Sequence, residues 1–290
     1  MESLIEYYYD IKVVSIKRIN DDDYFIQSDN GYYVLSLLYE DIINIQGIID
    51  VLNKTNIKYH LLLINKDHNL FFVYEEKKYC LLKVRCDNNK IDLLNNIKVE
   101  GKSDWPDIWG KRIDYYEKQV DEIIEDKSIK YAIQYYIGLT EIAIHFGNEL
   151  KSIYPNVEYS INHKRLSIPI NLLEYYNPLN MIVDIDIRDL AEYFKLAFFE
   201  DILTAAELLN MIGKYKLNEE KANYLFLRLL YPSYFFNLYD KYIETKEIDN
   251  KMLVYIKKSK DYESLLCNVY NKLILNYNIR INLWFIKFQH

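Results

Sequence analysis

The chain has 290 residues, half of them apolar and 27% charged, which is the composition of a globular protein and excludes a disordered one. Its net charge of −7 argues against general nucleic-acid binding. The charge is uneven: residues 251–290 carry seven Lys/Arg and two Asp/Glu, a net of +5, which leaves −12 on residues 1–250.

The first 86 residues read mostly as strands. Lys12 to Ile19 is rich in β-branched residues and meets the polar turn Asn20-Asp21-Asp22-Asp23. Tyr24 to Gln27 and Tyr32 to Leu38 flank Asn30-Gly31, a hairpin turn signal because both residues tolerate positive φ. Asp41 to Leu52 places Ile42, Ile45, Ile48, Ile49 and Leu52 on one helical face, with Asp41 as its cap. Tyr59 to Ile64 and Leu70 to Tyr74 are expected to pair across Asn65–Asn69, and Tyr79 to Cys86 supplies a further strand.

Residues 87–104 are polar and mixed and read as a connector. From Trp105 the chain is nearly all helix. One apolar stripe holds Ile113, Tyr116, Val120, Ile123 and Ile124; another holds Ile129, Ile133, Tyr136, Ile137, Thr140 and Ile144. The 155–187 stretch, with Pro155, Pro169 and Pro178, reads as a loop and a short hairpin. Helices resume over Asp189–Asn210, Asn218–Leu230 and Tyr234–Thr245, with two more between Lys251 and Phe288. The expected architecture is α+β and two-lobed: a small β-rich lobe over 1–86, the connector 87–104, and a helical lobe over 105–290.

Cys80, Cys86 and Cys267 have no metal-ligand spacing, and their odd number argues against a disulfide framework, so a reducing, cytoplasmic setting is expected. Met1-Glu-Ser-Leu-Ile-Glu has neither the basic start nor the apolar core of a signal peptide, and no apolar run approaches eighteen residues. Thirty tyrosines fit an A- and T-rich coding sequence; an adhesive or cross-linking tyrosine surface is the sharper reading. Motifs for a P-loop, a nucleophile elbow, a zinc helix or a dinucleotide fold are missing from the sequence.

The order Ile161-Asn162-His163-Lys164-Arg165-Leu166, then Val183-Asp184-Ile185-Asp186, then Arg188-Asp189-Leu190-Ala191-Glu192 resembles the catalytic centre of kinase-like phosphotransferases. Three further segments extend the likeness: Trp105-Pro-Asp-Ile-Trp109-Gly-Lys-Arg112, Tyr136-Ile-Gly-Leu-Thr-Glu141, and Arg228-Leu-Leu-Tyr231-Pro-Ser233-Tyr-Phe-Phe236. In this order and at these intervals they resemble the spore coat-associated kinase-like proteins, the CotS and YutH group. That group is similar to the aminoglycoside phosphotransferase and choline kinase superfamily. The resemblance spans nearly the whole chain and implies a protein kinase-like fold.

Carried over residue by residue, the resemblance implies a degenerate site. The base position holds Arg165, and a guanidinium has five donors and no acceptor. Where the metal-binding Asn belongs stands Ile170, with Asn171 one place late. The phosphate-gripping lysine of the third strand is matched by Ser36, and the 41–52 helix offers Gln46 and Asp50 but no glutamate partner. The first turn presents Asp21, Asp22 and Asp23, which repel a polyphosphate, and is expected to be a flexible turn facing solvent. His163 is expected to be a structural histidine bonded to backbone. Asp184 or Asp186 matches the magnesium aspartate, and Asp189 the start of a helix.

Three readings follow. In the first the chain is a pseudokinase that scaffolds spore coat assembly, with protein partners, other coat proteins among them, no catalytic residue, no metal and no cofactor. In the second it is an active phosphotransferase, using Mg-ATP with Asp184, Asp186 and His163 in a rearranged geometry. In the third it binds a non-nucleotide ligand or a peptide, with the basic 251–290 tail engaged or else buried through Trp284, Phe285 and Phe288. Neither nucleic acid nor membrane is expected as a partner.

Overall fold

The computed structural model describes residues 1–39, 41–85, 97–101, 105–123, 126–279, 281 and 283. Cys86, most of the 87–104 connector, Ile124, and Trp284, Phe285 and Phe288 lie outside the described residues, as does the Ile123 side chain. The chain divides into two compact units, residues 1–101 with 159–186, and residues 102–158 with 187–290.

The first unit opens with helix α1 (Glu2–Tyr9) and strands β1 (Val13–Arg18), β2 (Asp23–Ser28) and β3 (Gly31–Leu37). Helix α2 (Ile42–Leu52) and strands β4 (Leu61–Leu62), β5 (Phe72–Tyr74) and β6 (Lys77–Lys83) follow. They make an antiparallel sheet in the order β1-β2-β3-β6-β4, with β5 also on β6. A second, three-stranded sheet joins β7 (Lys98–Val99), β8 (Tyr159–His163) and β9 (Met181–Ile185). Between β8 and β9 lie the short helix α5 (Leu172–Tyr175) and a single 3-10 turn, Pro178–Asn180.

The larger sheet is covered on both faces. Leu81 packs with Ile5, Ile26, Leu35 and Phe72, whereas Cys80 and Leu82 pack with Ile45, Ile48, Leu52 and Met181. Successive side chains leave a strand on opposite faces. This is why Tyr79–Leu82 and Tyr33–Ser36 are buried without alternation. Asp41 caps α2, its carboxylate accepting from the Ile43 amide at 3.3 Å, and Ile45, Ile48, Ile49 and Leu52 form the buried stripe.

Three expectations change in this unit. Helix α1 forms where strands are expected. Ile5 is fully buried, and Tyr8 stacks on Phe72 at 5.0 Å, so packing outweighs the β preference of three tyrosines. Strands β4 and β5 do not pair with each other. Each lies on a different half of β6, Leu61–Leu62 against Leu82–Lys83 and Phe72–Tyr74 against Lys77–Tyr79. The Asn65 carboxamide closes the loop between them, its oxygen accepting from the amides of Asp67 and Asn69. At the β2–β3 hairpin the positive φ belongs to Gly31 alone, at 147°.

The second unit is helical: α3 (Trp105–Ile123), α4 (Lys127–Ile153), α6 (Arg188–Phe199), α7 (Ala205–Lys214), α8 (Glu219–Leu230), α9 (Ser233–Thr245), α10 (Asn250–Lys257) and α11 (Ser259–Leu273). The single helix expected over Asp189–Asn210 is two. Asp201 turns left-handed at φ 56°, and Thr204 with Glu207 forms a capping box that restarts the chain as α7. Helices α3 and α4 pack closely because Gly147 of α4 has no side chain; a Cβ there would collide with the Trp105 indole. Gly147→Ala should therefore destabilise the protein by about 1–3 kcal/mol in urea unfolding, although alanine is the better helix former.

Candidate functional site

The kinase-like positions of the first unit converge on the β1–β2 turn and the segment between β8 and β9. The turn faces solvent at Asp21, but Asp23 is buried and the backbone is bonded within the chain. The Asn20 carboxamide oxygen accepts from the amides of both Asp22 and Asp23 at 2.8 Å. Its nitrogen donates to Asp23 at 2.9 Å and to Glu174 at 2.6 Å. Asn20 thus closes the turn as an Asx turn and holds it to α5. The amides of Asp22 and Asp23 are thus bonded to the chain itself.

Ser36, which the resemblance matches to a lysine, is 1% exposed. It stands directly opposite Asp23 in the β2–β3 ladder and hydrogen-bonds its carboxylate. The same hydroxyl accepts from the Asn177 carboxamide at 2.9 Å. One small side chain joins β2, β3 and the 3-10 turn. Burial raises the Asp23 carboxyl above its ordinary value, the bonds from Ser36 and Asn20 pull it back, and neighbouring Asp22 and Glu174 add to the rise.

Arg165, which the resemblance matches to the catalytic base, points its guanidinium to Asp22 at 3.2 Å. The Tyr39 hydroxyl donates to the other oxygen of Asp22 at 2.6 Å. Backbone bonds hold the Arg165 main chain to the Asn180 side chain, 3.2 Å from its amide and 2.9 Å to its carbonyl. Arg165 is largely exposed, so its ion pair is a weak tether worth below about 1 kcal/mol.

His163 is fully buried, with Nε2 3.0 Å from the Tyr175 carbonyl and its ring 4.3 Å from the Tyr175 ring. Asn171 caps α5, accepting from the Leu173 amide at 3.1 Å. Asp184 is buried and accepts from the Ile185 amide at 2.8 Å. Asp186 pairs with Lys98 at 2.8 Å. On α2, Gln46 and Asp50 bond each other on the exposed face at 2.9 Å. No group of three or more His, Cys, Asp or Glu suited to a metal occurs among the described residues.

In the second unit the other motif residues build a buried polar core. Trp109 stacks on Tyr231 at 4.0 Å, and the Arg228 guanidinium lies 5.3 Å over Trp109. Arg112 reaches Asp240 at 2.6 Å, Asn237 at 3.0 Å and the Tyr231 hydroxyl at 3.2 Å. Lys195 donates to Glu192 at 2.8 Å, the Tyr231 carbonyl at 2.9 Å and the Ser233 hydroxyl at 2.8 Å, and Ser233 donates to Glu192 at 2.6 Å. Burial pulls the Lys195 ammonium down to about 8, against the opposing influence of Glu192. Burial likewise opposes ionisation of Glu192, but Lys195 and Arg188 outweigh it and hold the carboxyl below its ordinary value.

The family described as "Spore coat putative kinase YutH" matches residues 2–269. The chain belongs to this family. The endospore coat-associated protein YutH of Bacillus subtilis (strain 168) is 26% identical, over 73% of this chain and 72% of that protein. Among solved structures, an aminoglycoside phosphotransferase from Alicyclobacillus acidocaldarius has a TM-score of 0.55 at 7% identity, covering 92% of this chain and 94% of that one. The choline kinase LicA from Streptococcus pneumoniae has a TM-score of 0.53 at 12% identity, covering 93% and 97%. The YutH-family chain thus has the fold of the kinase-like phosphotransferases. No helix among its described residues is long and apolar enough to cross a membrane.

Sequence reasoning singled out Ser36, His163, Arg165, Asn171, Asp184 and Asp186. It missed Asn20, Tyr39, Glu174, Asn177 and Asn180, which engage the turn, Ser36 and Arg165. It also missed His60, fully buried, whose Nδ1 lies 3.3 Å from the Arg85 amide and which burial lowers to about 4. In the unfolded chain His60 takes up a proton near pH 6.5, and in the folded protein only near pH 4. Its contribution is therefore complete above pH 6.5 and is lost as pH falls through that window, to about 3 kcal/mol. Asp23 acts with the opposite sign at the acid end. Urea unfolding at pH 7 and pH 4.5 should show this loss in the parent and a shallower one in His60→Leu. In the second unit, Lys195→Met alone should cost about 3–5 kcal/mol by stranding Glu192, and Glu192→Leu with Lys195→Met less than that.

Proposed function

We propose that this YutH-family chain is a catalytically silent kinase-like protein, a pseudokinase, that acts as a protein-interaction scaffold in the spore coat. Arg165 carries the reading. A guanidinium at the base position cannot accept a proton from a substrate hydroxyl, and here it is paired with Asp22.

The donor set around it supports the same reading. Phosphoryl transfer depends on positioned positive charge around the transferring group. The lysine position is a buried serine bonded to Asp23 and Asn177. The turn amides of Asp22 and Asp23 are bonded to Asn20, and three aspartates surround them. Magnesium–ATP fits these residues poorly. His163, Asp184 and Asp186 are each engaged in bonds of the fold, which does not favour a rearranged phosphotransferase site. The coat location and the protein partners rest on the description of the Bacillus subtilis relative as endospore coat-associated.

Thermal unfolding with and without millimolar Mg-ATP tests the proposal. The midpoint should stay the same within error. A nucleotide present at a hundred times its Kd would add about 2.7 kcal/mol, and a rise of a few degrees with Mg-ATP would contradict the reading.

A further inference from the structure

Thirty tyrosines are many for a chain of 290 residues. Among the described residues Tyr7, Tyr32, Tyr39, Tyr115 and Tyr131 are each more than half exposed, and Tyr39 is the most exposed of them at 72%. Tyr39 also differs from the others in its partner. Its hydroxyl donates to the Asp22 carboxylate at 2.6 Å. The hydroxyls of Tyr7, Tyr32, Tyr115 and Tyr131 have no such bond among the described residues.

The acceptor is fixed in place. The Asp22 amide donates to Asn20 at 2.8 Å, and its carbonyl accepts from the Leu37 amide at 2.9 Å, two residues before Tyr39. Its second carboxylate oxygen faces Arg165 at 3.2 Å. This arrangement favours oxidation of the ring. A phenol that gives up one electron becomes a strong acid and must shed its hydroxyl proton. A carboxylate already bonded to that hydroxyl takes the proton in the same step and lowers the barrier. The thiols and indoles among the described residues are shielded from an oxidant. Cys80 and Cys267 are buried, and burial pushes the Cys80 thiol up to about 12 and raises Cys267 as well. Trp105 and Trp109 are buried too.

We propose that Tyr39 is a site of oxidative cross-linking, at which this chain is joined to another protein through a tyrosine–tyrosine bond. The oxidant is hydrogen peroxide acting through a peroxidase. It removes one electron from the Tyr39 ring, the hydroxyl proton passes to Asp22, and a neutral phenoxyl radical remains. A second tyrosyl radical forms in the same way on the partner protein. The two join by a carbon–carbon bond between ring positions ortho to the hydroxyls. The ring hydrogens at that bond then move to the oxygens and restore both phenols. The two electrons and two protons given up reduce one hydrogen peroxide to two waters, and Asp22 passes its proton to solvent. The inference goes beyond the scaffold reading, to which it adds a covalent point of attachment, and it does not depend on the kinase-like site being silent.

The test treats the full chain with a peroxidase and limiting hydrogen peroxide, with N-acetyltyrosinamide as the second phenol. Peptide mass spectrometry identifies the tagged tyrosines. Tyr39 should be tagged about tenfold faster than Tyr7, Tyr32, Tyr115 or Tyr131, the factor that one charge-assisted hydrogen bond supplies. Asp22→Asn keeps the ring exposed and removes the charge, and Tyr39 should then fall to the rate of the other four. Equal tagging of all five in the parent chain would overturn the proposal with no variant needed. So would a lead for Tyr39 that survives in Asp22→Asn, because exposure and not the proton acceptor would then decide. Mg-ATP turnover by the parent chain would sink the scaffold reading and leave this site standing.

Discussion

The hydroxyl of Ser36 is the joint on which the first unit turns. It donates to Asp23 on one strand and accepts from Asn177 on the segment before β9, and it is buried while doing both. A hydroxyl has a single proton to give, so this pairing leaves it no donor for a ligand. A lysine there would bring a long charged side chain into a space sized for a serine. The same joint decides the setting of Asp23, and through Asn20 it decides the shape of the aspartate turn and its hold on Glu174. Arg165 and Asp22 add a weaker contact at the exposed rim. The polar side chains of the turn, of β3 and of the segment before β9 are thus bonded to one another.

The two units follow one rule with different residues. Buried polar groups are costly unless bonded. In the first unit a neutral network of serine and asparagine satisfies one buried aspartate. In the second, Glu192, Lys195 and Ser233 satisfy each other around the Tyr231 carbonyl, and Arg112 and Arg228 are held against aromatic rings. The residues by which the family is recognised in sequence, Trp109, Arg112, Glu192, Arg228 and Tyr231, are therefore those that make the helical core specific.

Much of the fold was legible because local signals and burial agreed. The period of Ile45, Ile48, Ile49 and Leu52 and the cap at Asp41 mark α2, and Asn30-Gly31 marks the β2–β3 hairpin. Where burial overrode local preference the reading failed, as with the tyrosine-rich α1 and the separate halves of β6 taken by β4 and β5. The break between α6 and α7 is signalled locally by the capping box Thr204-Ala-Ala-Glu207, which the apolar period alone does not show. At the site, Arg165 and Ser36 stood out because each departs from a position that chemistry constrains. Their partners did not. Asn177 lies 141 positions from Ser36 and Asp22 lies 143 from Arg165, and nothing local distinguishes a structural asparagine from a turn residue.

A double-mutant cycle on Ser36→Ala and Asn177→Leu, followed by chemical denaturation, addresses the central joint most directly. If the hydroxyl joins the two segments as described, each single change strands the other's polar group. The pair together should then cost less than the sum of the two by about 1–3 kcal/mol. Strict additivity of the two losses would mean that Ser36 and Asn177 do not depend on each other, and the account of a self-occupied site would fail with it.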